Sequence, residues 1–114
     1  SRAYAAKHAP RKELSARGGV VEERAFKLAI DRGCELLNAG KEEEALAAAR
    51  SVTRPELLGI ELLGTCKYIE QVREDCPVYR ERGIEAVLQP YEKDNEKERK
   101  TTADYYRLWC NEKP

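Results

Sequence analysis

The sequence predicts an all-α fold: a compact bundle of about four to five antiparallel helices, stapled by two disulfides. Three observations predict it. Apolar residues recur at three- and four-residue spacing from about residue 20 onward, the signature of amphipathic helices. No stretch alternates apolar and polar residues as a half-buried strand does. The chain holds four cysteines, an even number that allows two bridges. At 114 residues there is room for one core. The expected organisation is a disordered basic leader or pro-region at 1–19 and a helical bundle domain at 20–114.

The leader carries Arg2, Lys7, Arg11, Lys12 and Arg17 against Glu13 alone, with Pro10 and Gly18-Gly19 and no apolar period. Such a segment cannot bury enough apolar surface to offset its ordering entropy. A first helix follows. Phe26, Ala29, Ile30, Gly33, Cys34 and Leu37 fall on one helical stripe, and Asn38-Ala39-Gly40 ends it because glycine supplies a left-handed C-terminal cap. Glu42, Glu43 and Glu44 suit the positive N-terminal end of a second helix. Ala45, Leu46, Ala48, Ala49 and Val52 give that helix a small-residue face.

Thr53-Arg54-Pro55-Glu56 reads as a capping box opening a third helix. That helix, Leu57 to Val72, is expected to be the surrounded one. Leu57, Leu58, Ile60, Leu62, Leu63, Cys66, Ile69 and Val72 cover more than one face, and close packing is expected to compensate for Gly59 and Gly64. Asp75-Cys76-Pro77 reads as a break, followed by a fourth helix to about Gln89 with Tyr79, Ile84, Val87 and Leu88 as core. Pro90 ends it. Residues 92–100 have no apolar member and form a turn and the solvated start of a fifth helix, which docks through Tyr105, Leu108 and Trp109. Tyr105, Tyr106 and Trp109 are the one aromatic cluster; they are either core or a partner-binding patch.

Helix geometry ranks the three possible pairings of Cys34, Cys66, Cys76 and Cys110. With helices running alternately up and down, Cys34 lies about 7.5 Å and Cys66 about 12 Å below the same end. Cys76 and Cys110 lie level at that end. Cys34–Cys66 and Cys76–Cys110 are therefore favoured, since a disulfide needs Cα atoms roughly 4.4–6.8 Å apart. A Cys66–Cys76 bridge would span about 13 Å along nearly one helix axis.

Chemistry is sparse elsewhere. Lys+Arg and Asp+Glu are both 21, which argues against a dedicated nucleic-acid binder. No apolar run approaches the roughly 20 residues of a membrane span. The single histidine, His8, lies in the leader, so the folded part holds no Ser/His or Cys/His constellation. No Cys-x-x-Cys pair or glycine-rich phosphate loop is present, and no metal or other cofactor is implied. Carboxylates such as Glu96 sit four residues from lysines such as Lys100, an ordinary solvated arrangement. The expectation is a non-enzymatic protein, a monomer that binds a protein partner. The chain contains no Met, which reads as a processed product already lacking any signal peptide.

Two resemblances bear on function. Residues 29–48, with Gly33, Gly40 and Glu44-Ala45-Leu46, resemble one tetratricopeptide unit; one such unit makes no solenoid, and a generic helical hairpin shares the pattern. His8 to Gly19, HAPRKELSARGG, resembles the short pro-regions of small secreted proteins of filamentous fungi. That resemblance implies a secreted, disulfide-stabilised candidate effector that binds host molecules and is delivered to a host. The alternative is a cytoplasmic helical adaptor of tetratricopeptide or microtubule-interacting-and-trafficking type, with four reduced thiols in its core.

Overall fold

The structure is a computed structural model that describes residues 23–91, 93 and 95–111. The leader, with His8, and Val20 to Glu22 lie outside the described residues. Among the described residues the element order is α1 (Glu23–Asn38), α2 (Glu42–Arg50), α3 (Gly59–Arg82), α4 (Ile84–Leu88), a 3-10 turn (Gln89–Tyr91) and α5 (Glu96–Cys110), with no strand. The all-α expectation holds, and both disulfides form with the expected pairing.

Contacts divide the chain into two units, with the boundary between Cys66 and Lys67, inside α3. The N-terminal unit is built on the α1–α2 hairpin. Phe26, Ile30, Gly33 and Leu36 form the buried stripe of α1. The helix closes as expected at Gly40, which has φ +79°. The Gly40 amide donates to Leu37 O at 3.1 Å and the Lys41 amide to Leu36 O at 2.9 Å, the paired bonds of a Schellman cap. On α2 the buried residues are Ala45 and Ala49. A Cβ on Gly33 would lie 3.2 Å from Ala45 O and 3.6 Å from Ala49 Cβ, so the small face admits the α1 backbone itself.

The expected capping box at Thr53 is not used. Thr53 is fully buried, and its hydroxyl donates back to Ala49 O at 2.7 Å, tying off the end of α2. The next helix starts six residues later, at Gly59. There Glu61 accepts a hydrogen bond from the Leu58 amide at 3.0 Å, the carboxylate half of a capping box. Thr53 was unavailable as a cap because its side chain was already committed to the preceding helix.

The expected break at Asp75-Cys76-Pro77 does not occur. Helix α3 runs through Pro77 for 24 residues. Pro77 is exposed, and its missing N–H forfeits one bond to the preceding turn, a cost of about 3 kcal/mol in a helix interior. The disulfide at the adjacent Cys76 and the Arg80 bonds described below hold that turn in place. The break falls instead at Gly83, with φ +86°, whose amide donates to Tyr79 O at 2.9 Å. Arg80 and Arg82 in the last turn, followed by glycine, form the stop signal that the proline obscured.

In the C-terminal unit, Val87 and Leu88 of α4 are buried, while Tyr79 and Ile84 are half-buried. Asn95 caps α5 by accepting from the Glu98 amide at 2.8 Å, and Glu96 and Glu98 place negative charge in the first turn. Thr102, Tyr105, Tyr106, Trp109 and Cys110 form one buried stripe of α5; Leu108 is only half-buried.

Candidate interaction surface and disulfide centres

The segment between α2 and α3 is held by two arginines. The Arg50 guanidinium donates to Leu57 O through Nε at 3.0 Å and Nη2 at 2.7 Å. Arg54 forms an ion pair with Glu61, which also receives the Leu58 amide. This clamp sets adjacent leucines in opposite directions. Leu57 is fully buried, whereas Leu58 is 57% exposed. Ile60 at 65% and Leu63 at 40% follow on one face of α3, three residues apart.

These positions correct the expectation that the third helix is surrounded, since Leu58, Ile60 and Leu63 face solvent. Its buried residues, Leu62, Gly64, Thr65, Cys66, Tyr68, Ile69, Val72 and Cys76, span roughly half the circumference at about 100° per residue. The opposite face continues Ile60 and Leu63 into exposed Lys67, Glu70 and Glu74 at the same spacing. Those charged neighbours were the signal in the sequence that Ile60 and Leu63 face solvent. Gly64 also departs from expectation: a Cβ there would meet nothing within 4 Å, so no close approach requires it.

Each unit contains one disulfide. Cys34 on α1 joins Cys66 on α3 with Cα atoms 5.6 Å apart. Cys76 on α3 joins Cys110 at the end of α5 at 5.2 Å. Cys66 and Cys76 lie on one continuous helix ten residues apart, about 15 Å of rise, which puts a bridge between them out of reach. Their surroundings differ. Cys34 is half-buried and Cys66 is 7% exposed, while Cys76 and Cys110 are 4% and 1% exposed. The Cys76 sulfur lies 3.3 Å from Val72 O and 3.9 Å from Trp109 O, and the Cys110 sulfur 3.7 Å from Val72 O.

The aromatic cluster lies inside the C-terminal unit. Tyr105, Tyr106 and Trp109 are all at most 3% exposed. Tyr105 stacks on Trp109 with centroids 5.1 Å apart and meets Tyr68 edge-on at 5.4 Å. Tyr106 stacks near Tyr79 at 6.1 Å, and its hydroxyl donates to Asp75 Oδ2 at 2.7 Å. The three residues therefore lie in the core and do not form an exposed patch: Tyr105 packs with Trp109 and Tyr68, and Tyr106 with Tyr79. Arg80 donates to Cys110 O through Nε at 3.1 Å and Nη2 at 2.8 Å, satisfying a carbonyl at the end of α5.

Among the described residues no group of three or more His, Cys, Asp or Glu side chains is arranged to hold a metal ion. No described helix is long and apolar enough to cross a membrane. Comparison with protein-family models, with curated proteins and with solved structures gives no match. The described residues offer thiol–disulfide exchange at two unlike disulfides and apolar contact at Leu58, Ile60 and Leu63, with Leu28 and Val78 also exposed.

Proposed function

We propose that this is a small secreted, non-enzymatic helical protein that acts by binding a host or partner protein, a candidate effector. The observation that carries the reading is the pairing of every cysteine, with none left free. Bridged cysteines in a small chain belong to an oxidising compartment, since cytosolic reductants keep thiols reduced. The pro-region-like stretch from His8 to Gly19 supports the same compartment. Action by binding is supported by the solvent-facing Leu58, Ile60 and Leu63, held outward by the Arg50 and Arg54 clamp. The test uses protein purified from its native source, alkylated with and without reductant and weighed intact. Unchanged mass without reductant, and four added groups with it, is the expected result. Four alkylatable thiols in the unreduced native protein would sink the secreted reading and favour a cytoplasmic adaptor.

A further inference from the structure

We propose that the two disulfides form a sequential redox device, in which a dithiol reductant opens Cys34–Cys66 first and uncouples the α1–α2 hairpin while the Cys76–Cys110 unit keeps its fold. Exchange requires a thiolate to reach one sulfur, so access governs which bridge opens. Cys34 is half-buried on the stripe edge of α1, whereas neither cysteine of the second bridge is more than 4% exposed. The second bridge is shielded electrostatically as well. Its sulfurs lie against the Val72 and Trp109 carbonyls, whose partial negative charge opposes an incoming thiolate. Arg80 and the Tyr106–Asp75 bond hold that region closed.

The step balances as a two-electron exchange. One thiolate of the dithiol attacks Cys34 Sγ; the disulfide breaks, and Cys66 leaves as a thiolate that takes up a proton. The second thiol of the reductant resolves the mixed disulfide, leaving Cys34 reduced and the reductant as its cyclic disulfide. What then holds the hairpin to the start of α3 within its unit, apart from the connecting chain, is non-covalent: Gly33 approaches Leu62 and the Glu42 side chain lies beside Gly59, while the Arg50 bonds to Leu57 and the Arg54–Glu61 pair tie the connecting segment to α2 and to α3. The inference stands independently of any binding partner.

The test is a titration of the full chain with dithiothreitol, trapped by alkylation and read by peptide mass mapping and hydrogen exchange. The expected intermediate has Cys34 and Cys66 alkylated and Cys76–Cys110 intact. In it, protection is lost across 23–50 and kept across 67–91 and 96–110. A Cys34→Ser, Cys66→Ser double variant should reproduce that exchange pattern without reductant. Loss of both bridges together, loss of Cys76–Cys110 first, or an intermediate and double variant that exchange like the oxidised protein would each overturn the proposal.

Discussion

The two units reach closure by opposite means. In the N-terminal unit helices are brought together by the absence of side chains: Gly33 lies against Ala45 and Ala49, and the backbones approach closely. In the C-terminal unit they are brought together by large rings, with Trp109, Tyr105, Tyr106 and Tyr68 filling the space. Each unit adds an arginine that forks a backbone carbonyl, Arg50 on Leu57 and Arg80 on Cys110, and each adds one disulfide. The lesson is that equal covalent architecture need not mean equal robustness. An aromatic core loses much when one ring is removed, whereas a small-residue interface is damaged by addition.

The largest expected effect follows from that contrast. Trp109→Ala should destabilise the protein by about 3–5 kcal/mol, measured by denaturant titration, because a fully packed indole leaves a cavity. A loss under about 1 kcal/mol, the typical cost of an arbitrary substitution, would show that the aromatic cluster is not what holds the C-terminal unit. In the N-terminal unit the sensitive change is enlargement. Gly33→Leu should cost about 1–3 kcal/mol through overpacking against Ala45 and Ala49, and a neutral result would mean the hairpin separates without penalty. The smallest effect has the opposite sign. Gly64→Ala should stabilise by up to about 1 kcal/mol, since the site is helical and has space for a methyl group. A melting temperature that falls would contradict the open space beside Gly64.

The helical fold was legible because each buried stripe has a period that survives in sequence: Phe26, Ile30 and Gly33 on α1, and Tyr105, Tyr106 and Trp109 on α5. The Gly40 stop was legible for the same local reason. What could not be read was decided by competition. Pro77 looked like a break, yet tertiary ties outweigh the one lost hydrogen bond and Gly83 takes the role. Thr53 looked like a cap, yet it satisfies Ala49 O instead. Ile60 and Leu63 are different: hydrophobicity alone places them in the core, and only Lys67, Glu70 and Glu74, which continue the same face, mark that side of the helix as lacking a neighbour. The disulfide pairing survived the mistaken break, since Cys66 and Cys76 are further from bridging on one helix than across a turn. The choice of Cys34 for Cys66 rested on where α1 ends, and that end was correctly placed at Gly40.

Each unit is closed by its own bridge, between cysteines 32 residues apart in the N-terminal unit and 34 apart in the C-terminal unit, each worth on the order of 3–4 kcal/mol in the chain-entropy model. Peptide mapping of the unreduced protein tests it most directly. Cleavage should yield one linked pair containing Cys34 and Cys66 and a second containing Cys76 and Cys110. A linked peptide joining Cys34 to Cys76 or to Cys110 would contradict the account.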